Sequence, residues 1–473
     1  MTADTSGSPI QLRVFITTVV LLGVLIILAG AASYVIPAGH FSEAVENGRK
    51  VDVYQPAEQT PLPVWKIAAA PVLCLTGKNG PRIIVLILFI LIIGGSFAIV
   101  NKSGVLPNLL SGVADRLRHN RTWFVIANVM LFALLGSSLG ILEEVVPMVL
   151  IFVPLARRMG WDNLTGLALP FLSAGFGFSA AMFNPFTVGT AQKLADLPLF
   201  SGLILRVPFF IVTVSLVILY LVWYTRRLEK HPHYEPPKSF YADDNRDARL
   251  HGVVPNRNMV VGYVAFCMML IVAVVVVGIF VPLVQDLAFP LIALVFLIMG
   301  VGTGLIARVG GGPVAKHFLR GLLDFAPAIV FILMAASVGY LIEIGNVMDT
   351  MLFYIAQEVS RLGHYTSALA LYGFQMLMNM LVPSGTGQAV LTIPIMAPLG
   401  DLVGLTRQTI VLAFQCGDGF SNLIWPTNPM LLIAIGLAGV SYREWFRFVL
   451  PIQMALVLVS SLFLTLAVAI HYQ

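Results

Sequence analysis

The sequence predicts an all-α polytopic membrane protein, on three observations: its composition, its repeated long apolar runs, and the paired interruptions in those runs. Of 473 residues, 58% are hydrophobic and 11% charged, with a mean hydropathy of +0.90, which lies far from soluble globular domains. Inside a bilayer every backbone polar group needs an internal partner, so apolar runs of about 20 residues read as spanning helices. A β-barrel would show short alternating segments instead. The run from Val14 to Ile36 is continuous, as is the one ending at Ile470. The first run follows Arg13 but is too long for the apolar core of a signal peptide, so it is expected to be the first span.

About nine crossings are expected, near residues 14–36, 82–101, 163–190, 202–224, 259–282, 286–306, 325–345, 405–440 and 448–470. Two more apolar stretches, 121–157 and 364–401, are each split by a Gly and Ser cluster into arms too short to cross comfortably. They read as two re-entrant hairpins. With the N-terminus inside, about two thirds of the 28 Lys and Arg fall on the inner side, as the positive-inside rule requires. The first hairpin then opens inward and the second outward.

The polar stretch from Arg226 to Asn258, with its proline pair and mixed charge, reads as a cytoplasmic linker. The hydrophilic segment 37–81 is expected outside, as a cap of no evident motif. Each flank of the linker repeats one order: two spans, an amphipathic stretch, a hairpin, an interrupted helix and a last span. The expected organisation is therefore a first repeat over 1–225, the linker 226–258, a connecting transmembrane helix over 259–285 and a second, inverted repeat over 286–473. Such inverted repeats are the architecture of many secondary transporters. The amphipathic stretches from Val105 and from Asn346 also fit ordinary interfacial helices.

The hairpins turn at GSSLG (Gly136 to Gly140) and PSGTGQ (Pro383 to Gln388). In both interrupted helices a Phe-Ser pair (Phe178 and Ser179, Phe420 and Ser421) precedes an Asn-Pro (Asn184 and Pro185, Asn428 and Pro429). Gly and Pro break the helical ladder and free amides and carbonyls that lipid cannot satisfy. Half-helix N-termini suit a carboxylate, and exposed carbonyls with Ser or Thr hydroxyls suit a small cation. A single such cluster is usually close helix packing. Four in matching order predict a solute site at the bilayer midplane.

Glu143 and Glu144 follow the first tip and are expected deep in the protein, where an ionisable group is costly and usually functional. One of them could take a proton, a cation or a solute amino group. Asp418, in the second break, is a further candidate cation ligand or proton carrier, and Asn379, Gln388 and Trp425 line the second motif. His119 and His364 flank the hairpin entries as interfacial residues. Cys74, Cys267 and Cys416 match no metal or redox spacing, so they are expected as packing residues. The net charge of +5 is assigned to retained cytoplasmic loops and not to nucleic-acid binding.

At these residues the chain resembles the YfcC-like family of the anaerobic C4-dicarboxylate carrier (DcuC/ArcD) group, which includes arginine/ornithine exchangers, in the ion transporter superfamily. The resemblance runs through GILEEVVP (Gly140 to Pro147), FNPFTVGTAQ (Phe183 to Gln192), the segment Pro383 to Gln408, and GDGFSNLIWPT (Gly417 to Thr427). It implies an elevator-type transporter, homodimeric, in the bacterial cytoplasmic (inner) membrane. It implies binding roles for Ser137, Ser138, Ser179, Asn184, Thr187, Ser384, Thr386, Ser421, Asn422 and Thr427. The tips GSSLG and PSGTG depart from the Ser-Asn-Thr tip of other superfamily members.

The expected function is cation-coupled transport of a small carboxylate-bearing solute, an amino or organic acid, by symport or antiport with H⁺ or Na⁺ and with no cofactor. A basic amino-acid exchanger of arginine/ornithine type is one alternative. An ion channel, which needs a continuous pore, is another. An intramembrane enzyme would need a nucleophile with a base beside it, and neither Ser137 nor Ser179 has a His or Asp placed next to it in sequence.

Overall fold

The protein is described here from a computed structural model covering residues 12–46, 49–59, 61–103, 120–230, 257–281, 283–284, 287–308 and 311–473. The first amphipathic stretch, His119 and most of the 226–258 linker lie outside the described residues. The chain is mostly helical. Helix α1 (Leu12–Val35) is followed by strands β1 (Gly39–Glu46) and β2 (Arg49–Pro56), then α2 (Val64–Leu73) and α3 (Gly80–Lys102). The first hairpin consists of α4 (Arg121–Leu139), a 3₁₀ turn (Glu143–Met148) and α5 (Val149–Arg158). The first interrupted helix runs through α6 (Asn163–Leu167), a π-helical turn (Ala168–Leu172) and α7 (Ser173–Ser179); it resumes with a second π turn (Pro185–Gly189) and α8 (Thr190–Leu194). Helices α9 (Leu203–Lys230), α10 (Arg257–Phe280), α11 (Ala288–Ile306), α12 (Gly311–Ile344) and α13 (Met348–Val359) follow. The second hairpin is α14 (His364–Leu381) with α15 (Gly385–Leu402), the second interrupted helix is α16 (Arg407–Ser421) with α17 (Pro429–Ala438), and α18 (Tyr442–Ala469) ends the chain.

Among the described residues 7 helices are long and apolar enough to cross a membrane. One of them, Arg121–Leu139, corrects the sequence reading: at 19 residues the first arm of hairpin 1 has the length of a full span. The Gly-Ser cluster does not shorten this arm, because Gly136, Ser137 and Ser138 stay helical and the chain breaks only at Gly140, in the left-handed region at φ 69°. Helix α12 likewise starts at Gly311, well before the expected start of that span.

The segment between α1 and α2 is the second correction, since it makes the chain other than purely α-helical. Strands β1 and β2 pair antiparallel from Gly39↔Pro56 to Glu46↔Arg49. The ribbon lies on α13: Tyr54 stacks on Phe353 at 4.3 Å, and the Phe41 amide donates to Asp349 Oδ2 at 3.1 Å. The ribbon thereby gives polar backbone its obligatory partners. Its sequence signal is the Asn47-Gly48 pair between alternating residues, the strongest short hairpin cue.

Two sets of helices share the core. In one, α3 packs on α11 and α12, with α1 against α12 and α10 against α11. Small residues allow the close approach: a Cβ on Gly321 would lie 2.5 Å from the Gly94 carbonyl oxygen. In the other set α4 packs on α7, α14 and α15 on α16, α15 on α8, and α7 on α16. The α4–α7 contact is backbone to backbone, since a Cβ on Gly136 would stand 2.2 Å from the Ala174 oxygen and one on Gly177 2.1 Å from the Ala133 oxygen. For these glycines the reading is packing.

A junction of two hairpins and two broken helices

Both Asn-Pro pairs are helix restarts. Asn184 caps the second π turn, its Oδ1 accepting from the Phe186 amide at 2.9 Å and the Thr187 amide at 3.3 Å, with Pro185 in the first turn. Asn428 caps α17 by accepting from the Met430 amide at 3.0 Å, with Pro429 after it. Asn supplies the acceptor that the first amides lack, and Pro occupies a position that needs no donor. The unwound stretches are 180–184 and 422–428.

The first tip braces the first break. Ser137 Oγ accepts from the Met182 amide at 3.0 Å and lies 3.4 Å from the Ala180 carbonyl, while Ser137 O accepts from the Phe183 amide at 3.2 Å. Replacing Ser137 by Ala leaves a buried amide without its acceptor, so a loss of about 1–3 kcal/mol of stability is expected, measured as a lower melting temperature; an unchanged melting temperature would show the brace to be dispensable. Ser138 is half-buried at the same tip. Ser179 donates to Gly175 O at 2.7 Å within its own helix and abuts the other broken helix, where a Cβ on Gly419 would lie 2.4 Å from Ser179 Cα. Gln415 fastens the same crossing by donating to Phe178 O at 2.7 Å.

The second tip reaches the same place. Thr386 Oγ1 donates to Phe186 O at 2.9 Å, and a Cβ on Gly140 would be 2.5 Å from Asn184 Oδ1. Thus GSSLG and PSGTG both border the break around Asn184. A Cβ on Gly385 would meet Thr187 Cγ2 at 2.6 Å and Asp418 Oδ2 at 2.9 Å, so the tip of one half, the break of the other and α16 converge on Gly385. Beside it, Gln388 donates to Gln375 O at 2.9 Å and to Gln375 Oε1 at 2.7 Å. Asn379 ties the second break together, donating to Ser421 Oγ at 2.8 Å, Asp418 O at 2.9 Å and Asn422 Oδ1 at 3.1 Å. Trp425 donates to Met376 O at 2.7 Å and so belongs to the packing of the hairpin.

Buried polar atoms without a partner gather here. Among the described residues both carboxylate oxygens of Asp418 lack a hydrogen bond, with the Asn422 side chain nearby. Asn184 Nδ2, Thr187 Oγ1, Gln388 Oε1, Asn379 Oδ1 and Thr427 Oγ1 also lack one. Native proteins leave few such atoms, so a cluster of them marks where a ligand or ion is accepted. Asp418 is 0% exposed, and an unpaired carboxylate there is costly unless a cation or proton joins it.

Glu143 and Glu144 lie on the 3₁₀ turn and are half-buried. Glu143 pairs with Arg82 at 3.3 Å, and Arg82 donates from its other arm to Ser384 Oγ at 2.8 Å. Arg82, at the edge of the expected span over 82–101, stands inside the first turn of the apolar helix α3. A charge within a spanning run was the signal for it. Among the described residues no group of three or more His, Cys, Asp or Glu could hold a metal ion, and the three cysteines are buried and unpaired by disulfides.

This geometry, with seven membrane-length helices among the described residues and a buried polar junction between them, is that of a multi-pass membrane protein. The chain belongs to the C4-dicarboxylate anaerobic carrier family (DcuC), which matches residues 15–469. It is 34% identical over 379 residues to the Escherichia coli K12 protein named "Putative basic amino acid antiporter YfcC", covering 76% of this chain and 73% of that one. An uncharacterized Haemophilus influenzae protein is 26% identical over 394 residues, covering 81% and 75%. The crystal structure of the Alcanivorax borkumensis YdaH transporter aligns with a TM-score of 0.44 at 16% identity, over 96% of this chain and 98% of that one. Neisseria gonorrhoeae MtrF aligns at 0.40 and 17%, over 95% and 94%. Membership of the DcuC family makes the chain a membrane transporter.

Proposed function

We propose that this chain is a secondary active transporter for a small carboxylate-bearing solute, an amino acid with a cationic side chain, working by exchange or with H⁺ or Na⁺ as coupling ion. The observation that carries the reading is Asp418, fully buried, its oxygens without partners, beside Gly385 and Thr187 at the meeting point of both halves. A solute ammonium or guanidinium would satisfy it when bound, and a proton or metal cation when the solute has left. Competition between those occupants for one carboxylate couples their movements in the most direct way.

The solute's own carboxylate suits the N-terminal end of α15, where Ser384 caps the helix through the Gly387 amide at 3.3 Å and the helix dipole favours negative charge. The hairpins and broken helices would then move as one body against α1, α3 and α10–α12 in an elevator stroke, within a homodimer in the bacterial cytoplasmic membrane. The name of the Escherichia coli relative points to the same solute class.

The test is flux in proteoliposomes. Purified protein is expected to give saturable uptake or counterflow of L-arginine, L-lysine or L-ornithine, changed by a pH or Na⁺ gradient or by internal amino acid. Saturable flux of dicarboxylates alone would move the solute class to organic acids. Stable single-channel currents in a planar bilayer would replace the carrier with a channel, and no flux of any amino or organic acid would end the reading.

A further inference from the structure

Arg82 occupies a position that is electrostatically unfinished. Its guanidinium donates to Ser384 Oγ at 2.8 Å, and Ser384 is the N-cap of α15, an 18-residue helix. A helix N-terminus carries partial positive charge and disfavours a cation. The balancing anion is Glu143, from the first hairpin, which reaches Arg82 Nη2 with one oxygen at 3.3 Å. That is a long, single contact where a guanidinium prefers a close bidentate carboxylate. A guanidinium has five N–H donors, more than these two contacts use. Arg82 remains 54% exposed in its side chain and Glu143 28%, so the pair is open to exchange with something arriving from water. The three residues belong to three elements, α3 and the two hairpins, that chain connectivity does not hold together.

We infer that Arg82 is the specificity-determining residue that receives the carboxylate of the solute, with Glu143 as the internal carboxylate that solute displaces. The inference rests on the proposed function and deepens it: Asp418 takes the cationic end and Arg82 the anionic end. A carboxylate at this spot meets a guanidinium fork and the start of α15 together, so both positive potentials that now face each other are answered by one group. Displaced Glu143 keeps a half-exposed site in which water can solvate it. Neutral and cationic molecules lacking a carboxylate gain none of this, so Arg82 separates an amino acid from the amine of the same side chain.

The experiment compares L-arginine and L-lysine with their decarboxylated amines, agmatine and cadaverine, by calorimetric titration of the purified full-length protein. The wild type is expected to bind the amino acids about tenfold or more tightly than the amines, the range of a charge-assisted bidentate contact. Arg82→Gln is expected to bring the two classes within about twofold while amine binding persists, a split that loss of folding would not produce. Glu143→Gln, which removes the competitor, is expected to tighten the amino acids by about threefold or more and leave the amines unchanged. A folded Arg82→Gln protein that keeps the tenfold preference overturns the inference while leaving the transporter reading intact. Should Arg82→Gln fail to fold, Glu143→Gln decides alone: weaker or unchanged amino-acid binding overturns it. A wild type that binds none of the four compounds overturns both this inference and the solute class it rests on.

Discussion

Asp418→Asn is expected to lower saturable uptake by about 100-fold or more while leaving the melting temperature unchanged or raised. The two effects run in opposite directions because the carboxylate has 0% exposure and, among the described residues, no close hydrogen bond and no charged partner, with the Asn422 side chain nearby. Removing an uncompensated buried charge relieves a desolvation cost, so a purely structural aspartate would instead lose stability when replaced. The amide has nearly the shape of the acid, and the Asn379 contacts to the Asp418 backbone carbonyl and to Ser421 remain. Uptake in proteoliposomes beside a thermal melt of the same preparation reads both quantities. Wild-type kinetics in the variant would remove Asp418 from the site, and a large fall in melting temperature would make it a structural residue.

Gly385→Ala is the second large effect, and it acts through space instead of charge. The added methyl would stand 2.6 Å from Thr187 Cγ2 and 2.9 Å from Asp418 Oδ2, so the second tip, the first break and α16 cannot keep their present distances. Overpacking of this kind costs about 1–3 kcal/mol, and here it falls on one of the places where the two halves touch. Uptake is expected to fall by about tenfold or more, with the protein still folded. Thr187→Ser removes the methyl that the new Cβ meets, so the double variant is expected to recover a measurable part of the loss. Equal uptake in Gly385→Ala and wild type would show the tip free to move away, and a double variant no better than the single one would put the obstruction elsewhere.

Much of the architecture was legible in the chain because the bilayer leaves a polypeptide few choices. Runs such as Val14 to Ile36 can only be helices where no water competes for backbone hydrogen bonds, and the breaks at Asn184 and Asn428 announce themselves by pairing a cap with a proline. The family was legible as a resemblance carried by segments such as Gly140 to Pro147 and Gly417 to Thr427. Side-chain roles within those motifs were less legible. Ser137 and Ser138 read alike in sequence, yet Ser137 supports Met182, 45 positions away, and Phe183 next to it. Gly136 and Gly385 also read alike, but one lets α4 lie on α7 and the other opens a space before Asp418. The β1–β2 ribbon was missed since its Asn-Gly cue lay in a segment whose polarity masked the alternation.

By itself the sequence determined that this protein crosses a membrane many times and that its two flanks carry hairpins and broken helices in matching order, while its motifs resembled a family of carriers. The crossings and breaks depend on local composition and spacing, which a linear chain displays. Only the tertiary structure decided that Gly385, Thr187 and Asp418 meet, and that Arg82 joins Glu143 across 61 residues and Ser384 across 302. The reason is physical: solvation and helix formation are set by neighbours in sequence, whereas the pairing of charges and the filling of space are set by neighbours in three dimensions, brought together by packing that no single segment encodes.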